Sequence, residues 1–130
     1  MENIVKTILV VEDEKPLLEA IKAKLEINGF AVVTARSVEQ AMNYLNEIDH
    51  ISVIWLDHYL LGKESGLDFV AKLKNHDIWK LIPVFVVSNT ATPEKVSSYI
   101  SFGVDKYYTK ADYRLDQIIA DIKDALAKSI

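Results

Sequence analysis

Apolar residues along this chain fall into short runs separated by stretches with helical spacing. The runs at 7–11, 31–35, 51–56, 82–87 and 104–109 have strand length. Several are apolar throughout, with no polar alternation, as a strand buried on both faces requires. Between the first two, Leu18, Ile21 and Leu25 recur at helical spacing. Pro16 suits the first turn of that helix, and Asn28-Gly29 supplies its stop. Ser37 and Gln40 read as a capping box ahead of an apolar face of Val38, Ala41, Met42, Leu45 and Ile48. A loop is expected over 57–65, with Leu67, Val70, Ala71 and Lys74 continuing on a short helix. Thr92-Pro93 reads as an N-cap and first helical residue. Val96, Tyr99 and Ile100 give that helix a weaker apolar face, ended by Gly103. Leu115, Ile118, Ile119, Ile122 and Leu126 define the last helix.

Five strand–helix units in succession, with no repeat and no linker, predict a parallel sheet covered on both faces. Right-handed crossovers leave few topologies. The expected fold class is α/β: a flavodoxin-like (βα)5, doubly wound parallel sheet of five strands in the order 2-1-3-4-5, forming one domain over 1–130. Ligands of such sheets bind outside the carboxyl ends of the strands, here at the switch point between strands 1 and 3. The residues with chemistry fall there. Glu12-Asp13-Glu14 follows the first run, Asp57 the third, Ser88 the fourth and Lys110 the fifth. Each alone is ordinary: an acidic helix start, a turn aspartate, a loop serine, a surface lysine. Together they make a carboxylate cluster with one lysine, suited to a divalent cation and a phosphoryl group.

Composition narrows the function. Half of the 130 residues are hydrophobic, enough for a sizeable core. The net charge is −4 and no stretch is strongly basic, which argues against direct nucleic-acid binding. With no cysteine, disulfides and thiolate metal sites are excluded. The apolar runs are far short of the ~20 residues of a membrane helix, and Pro83 interrupts one of the longest. The opening residues 1–6 hold no apolar region of signal-peptide length. A cytoplasmic location is expected.

Five motifs in order carry a resemblance. They are Ile8-Leu9-Val10-Val11-Glu12-Asp13-Glu14, Val53-Ile54-Trp55-Leu56-Asp57, the loop from Leu60-Leu61-Gly62 to Gly66, Val86-Val87-Ser88, and Gly103-Val104-Asp105-Lys106-Tyr107-Tyr108-Thr109-Lys110. In these the chain resembles a response-regulator receiver domain of two-component signalling, over nearly its whole length. The resemblance implies that Asp57 is the phosphoacceptor and that Mg2+ (or Mn2+) is the cofactor. It implies Asp13, Asp57 and the backbone carbonyl of Tyr59 as direct ligands, with Glu12 reaching the ion through water. Lys110 and Ser88 would contact the phosphoryl oxygens. Ser88 and Tyr107 would form the switch, read out on the face of helix 4, strand 5 and helix 5. Tyr99, Phe102, Lys106 and Tyr113 lie in or near that face, and Tyr108 falls on the opposite side of its strand. The implied partners are a sensor histidine kinase or phosphotransfer protein, and a downstream protein target or fused output domain. A homodimer would use the same face.

The chain departs from the family pattern at four places. Leu61 and Ala111 stand where prolines are common, so Lys110–Ala111 is expected to be trans, or a strained cis bond if the site requires it. The loop before Gly66 is one residue longer than usual, and Asn89 replaces a small residue. Tyr59 and Thr90 occupy positions that tune loss of the phosphate to water, where bulky Tyr59 could shield the bond. His58 is expected to point away from the cleft, and His50, His58 and His76 lack metal-ligand spacing. Two other functions are compatible with such a fold. A phosphohydrolase would need a general acid at Tyr59, which tyrosine does not supply. A phosphorylation-independent interaction module would keep the fold without the chemistry.

Overall fold

The structure is a computed structural model and describes residues 4–128. The expectations for residues 1–3 and 129–130, including part of the opening segment, lie outside the described residues. Strands β1 (Thr7–Val11), β2 (Ala31–Ala35), β3 (Val53–Leu56), β4 (Val84–Ser88) and β5 (Lys106–Thr109) form one parallel sheet. Their order is β2-β1-β3-β4-β5, as expected. Helices α1 (Lys15–Ile27), α2 (Val38–Glu47), α3 (Gly66–Lys74), α4 (Pro93–Ser101) and α5 (Leu115–Lys128) connect and cover the strands.

Alternate strand residues feed two cores. Ile8, Val10, Val53, Trp55, Phe85, Val87 and Tyr108 pack with α1 and α5. Leu9, Val11, Ile54, Leu56, Val84 and Val86 pack with α2, α3 and Tyr99 of α4. β3 and β4 are buried throughout and β1 is buried after Thr7, which explains their lack of polar alternation. β2 and β5 are the edges and stay partly exposed.

Several expected boundaries shift. β3 begins at Val53, not 51, because its ladder with β1 starts at Ile8↔Val53. Ile82 closes a 3-10 turn, Trp79–Leu81, by donating its N–H to the Trp79 carbonyl, so β4 runs from Val84 to Ser88. β5 begins at Lys106, not 104; the Val104 N–H still points back to the Tyr99 carbonyl of α4. The capping box expected at Ser37 forms by half. Ser37 Oγ accepts from the Gln40 N–H, but the Gln40 side chain accepts from Arg36 N–H instead of returning to Ser37. A reciprocal box does form at Ser65 and Asp68. On α3 Val70 is buried as expected and Leu67 packs partly buried against the core, but Phe69 and Leu73, not Ala71 and Lys74, supply the other buried side chains. On α4 Tyr99 is buried but Ile100 is half exposed. The Lys110–Ala111 bond is trans: no cis peptide occurs among the described residues.

Candidate functional site

Strand register brings the chemical residues together. Val11 and Leu56 are partners at the ends of β1 and β3, so Glu12, Asp13 and Asp57 leave the sheet side by side. Backbone bonds extend past the strands and hold them. The Asp57 N–H donates to the Val11 carbonyl (2.9 Å), and the Glu12 N–H donates to the Ala35 carbonyl (3.0 Å). Ser88 ends β4 opposite Thr109, and the Lys110 N–H donates to the Ser88 carbonyl (2.9 Å).

The side chains converge as the topology requires. Lys110 Nζ donates to Glu12 Oε1 (2.8 Å) and to Asp57 Oδ2 (3.2 Å). Asp57 Oδ1 accepts the His58 N–H (2.7 Å), so both oxygens of that carboxylate are engaged. Glu12 Oε2 accepts the Glu14 N–H (3.0 Å). One carboxylate oxygen each from Glu12, Asp13 and Asp57 lies within 4.8 Å of the others. Glu12, Asp57 and Ser88 are buried and Asp13 is the half-exposed member. Ser88 Oγ accepts the Thr90 N–H at 3.5 Å. The trans bond at Lys110–Ala111 therefore does not keep the ammonium from the acidic cluster.

Three contributors went unread in the sequence. Arg36 grips the Asp13 carbonyl through Nε (3.0 Å) and Nη2 (2.7 Å), fixing the acidic loop from the neighbouring strand. Its place one residue past β2, beside β1, was the available signal. Lys95, in the first turn of α4, donates to Tyr59 Oη (2.8 Å) and Thr90 Oγ1 (2.9 Å) and lies 4.6 Å from the Tyr59 ring centroid. The third is the His58 N–H itself. The His58 ring is held at Tyr99, where its Nδ1 shares a 2.6 Å hydrogen bond with Tyr99 Oη.

The two strand tyrosines divide by face. Tyr107 is partly buried, packs 5.6 Å from the Tyr99 ring and donates its hydroxyl to the Thr90 carbonyl. Tyr108 is buried on the opposite side and donates to Asp121 (2.6 Å).

Electrostatics follow from burial. Burial pushes the Glu12 carboxyl up to about 7, against the lowering by Lys110 and the Glu14 N–H. Burial alone would lower Lys110, but its bonds and charges with Glu12 and Asp57 outweigh this and hold it above the usual lysine range. Glu12 and Asp57 share the Lys110 ammonium and Asp13 adds a third carboxylate beside them, so the cluster is short of positive charge.

The folded value for Glu12 exceeds its ordinary 4.5. Its stabilising contribution is therefore full below that value and is lost as the pH rises through about 7. Glu12→Gln removes this titration. In cation-free buffer, the variant's stability relative to wild type should climb between about pH 5 and pH 8, by up to ~3 kcal/mol. Thermal melts across that range would read it, and two parallel curves would refute it.

Comparison with known proteins adds the family. The model of the response regulator receiver domain matches residues 8–123. The phosphate regulon transcriptional regulatory protein PhoB of Escherichia coli K12 is 35% identical over 123 residues, covering 95% of this chain and 52% of PhoB. The transcriptional regulatory protein DltR of Streptococcus agalactiae is 30% identical over 116 residues, covering 89% of the chain and 50% of DltR. The chain thus spans about half the length of the curated relatives it matches. The phosphorylated cyanobacterial phytochrome response regulator RcpA superposes with a TM-score of 0.79 at 28% identity, covering 94% of this chain and 91% of RcpA. The CheY-like receiver domain from Methanospirillum hungatei shares the fold with a TM-score of 0.86 at 22% identity, covering 96% of each chain. Sheet order, clustered carboxylates and family match agree: the chain belongs to the response regulator receiver domain family.

Proposed function

We propose that Asp57 is the phosphoacceptor of this receiver and that Glu12, Asp13, Asp57, Ser88 and Lys110 form its phosphoryl-transfer site. The observation that carries the reading is the Lys110 ammonium, bonded at once to Asp57 and Glu12 inside the acidic cluster. The Asp57 carboxylate attacks phosphorus. The bond from phosphorus to the donor breaks, and the leaving group, imidazole or acetate, departs with the electron pair. Little more than positioning and charge compensation is asked of the protein. His58 N–H and Lys110 Nζ hold the carboxylate in one orientation. Lys110 then meets the phosphoryl oxygens together with the Ser88 hydroxyl.

The donor set fits a divalent cation. All donors are hard oxygens close enough to share one ion, and Lys110 is the one cation bonded to the cluster among the described residues. Asp13, Asp57 and the Tyr59 carbonyl would ligate Mg2+ or Mn2+ directly, with Glu12 acting through water. Bound there, the ion supplies charge neutralisation for the transferring phosphoryl group.

The protein acts as a regulator. Its only chemistry is self-phosphorylation from a donor and slow self-dephosphorylation. It works in the cytoplasm with a sensor histidine kinase or phosphotransfer protein upstream. Downstream is a protein target or an attached output domain, without direct nucleic-acid contact by this domain. The Tyr107 hydroxyl on the Thr90 carbonyl links the segment after Ser88 to the α4–β5–α5 face. That link supports Ser88 and Tyr107 as the switch, and this face as the readout and homodimer surface.

The test is incubation with acetyl phosphate, read by intact mass. One phosphate should be gained with Mg2+ and none after chelation. No gain with Mg2+ from either acetyl phosphate or a cognate kinase, in a folded protein, would instead support the interaction module.

Tyr59, Lys95 and Thr90 form a strap beside the site. It shields the phosphoryl bond from water. Tyr59→Ala and Lys95→Ala should each shorten the phosphoform's lifetime by about three- to tenfold, the worth of one or two contacts near 1 kcal/mol. Decay of radiolabelled protein measures this, and unchanged lifetimes in both variants would refute it.

A further inference from the structure

We infer that His58 and Tyr99 are a positioning pair for phosphoryl transfer, in which a buried hydroxyl on α4 fixes the backbone N–H that orients the acceptor carboxylate. The inference rests on the reading of Asp57 as the phosphoacceptor. Two hydrogen bonds make the connection. Tyr99 Oη shares one of 2.6 Å with His58 Nδ1, and the His58 N–H donates to Asp57 Oδ1 at 2.7 Å. With Lys110 on Oδ2, that N–H sets the rotation of the carboxylate. The peptide between the two residues lies past the end of β3, where the ladder with β4 no longer holds it. The Asp57 N–H is tied to the Val11 carbonyl (2.9 Å), and the His58 carbonyl accepts the Gly66 N–H (2.8 Å). Anchoring the His58 ring at its far end restrains the remaining rotation about His58, so Tyr99 acts on the carboxylate through that residue.

Packing alone does not account for the Tyr99 hydroxyl. The side chain is fully buried in the core shared with Phe69, Leu73 and Val86. Phenylalanine would fill that space with no polar atom to satisfy, whereas a buried hydroxyl is costly unless it is bonded. Gly66 keeps room for it: a Cβ there would stand 2.7 Å from Tyr99 Oη and 2.5 Å from the Asp57 carbonyl oxygen. The Tyr99 ring also packs 5.6 Å from the Tyr107 ring. Tyr99→Phe keeps this ring contact and removes only the bond to His58.

The test compares wild type with Tyr99→Phe, His58→Leu, His58→Asn and the double variant Tyr99→Phe/His58→Leu. Labelling by acetyl phosphate with Mg2+ is followed against donor concentration, well below the melting temperature. Tyr99→Phe and His58→Leu should each lower the maximal rate by about three- to tenfold, with KM for the donor unchanged. The double variant should be no slower than the slower single one, because one bond is lost in every case. Asparagine can place a polar atom where Nδ1 stands, so His58→Asn should recover most of the rate lost in His58→Leu. In nitrogen-15 spectra of the unphosphorylated, cation-free protein, the His58 amide proton should move upfield in Tyr99→Phe as its bond to Asp57 loosens. A purely structural Tyr99 would lower the melting temperature and leave the rate and the amide resonance unchanged. That result, additive losses in the double variant, or no recovery by asparagine would each overturn the inference while wild type still takes phosphate. A wild type that takes none would fail the phosphoacceptor reading itself, and this inference with it.

Discussion

Asp57→Asn is expected to end phosphate uptake from acetyl phosphate, lowering labelling by more than about a thousandfold, as loss of an attacking group does. A neutral amide has no carboxylate oxygen with which to attack phosphorus. Shape is not the reason for the loss, because asparagine is nearly isosteric and one of its atoms can still accept the His58 N–H or face Lys110. It cannot do both with acceptor oxygens, since Oδ1 and Oδ2 of the native carboxylate each meet a donor. The variant should also bind Mg2+ about ten- to a hundredfold more weakly, because one of three clustered carboxylates is gone. Lys110→Met makes the informative contrast. It keeps the attacking group but removes the cation beside it, and labelling should fall only about a hundredfold, as for loss of one preorganised charge. Intact-mass time courses on wild type and both variants read all three values. Continued Mg2+-dependent labelling of Asp57→Asn would move the acceptor to Asp13 or Glu12.

What could be read from the sequence follows where burial alone decides. β1, β3 and β4 are sealed on both faces, so their apolar runs named them, and a parallel sheet of five then brought Asp13, Asp57, Ser88 and Lys110 to one edge. Boundaries were less legible because partners set them. Ile51 and Val104 are buried and look like strand, yet the ladders begin at Val53 and Lys106. Gln40 has the spacing of a capping box, but its side-chain oxygen took the Arg36 N–H instead. Arg36 on Asp13, Lys95 on Tyr59, and His58 on Tyr99 all join residues distant in sequence, and no periodicity encodes such pairs. The shift from a water-exposed to a raised Glu12 carboxyl likewise depends on packing around it.

Gly66→Ala is expected to destabilise the protein by ~2–4 kcal/mol, the upper range for overpacking, lowering the melting temperature by roughly 10 °C. Intrinsic preference gives the opposite sign. Gly66 opens α3 with an ordinary backbone angle, where alanine would stabilise a free helix by up to ~1 kcal/mol. Contact decides against preference. A Cβ at Gly66 would lie 2.5 Å from the Asp57 carbonyl oxygen, 2.7 Å from Tyr99 Oη and 3.1 Å from His58 Cα. Two of these are backbone atoms. The third hydroxyl is fixed by its bond to His58, so no flexible chain end can give way. The added methyl must push the segment after β3 outward, loosening the His58–Tyr99 bond and moving the acceptor carboxylate. Gly62→Ala is the matched control. Nothing lies within 4 Å of its Cβ, and it pays only for a φ of +87°, about 1 kcal/mol. Gly66→Ala should therefore lose both stability and labelling rate, and Gly62→Ala little of either. Equal melting temperatures for the two variants would mean that the Gly66 segment relaxes freely and that tight packing behind Asp57 does not hold the acceptor in place.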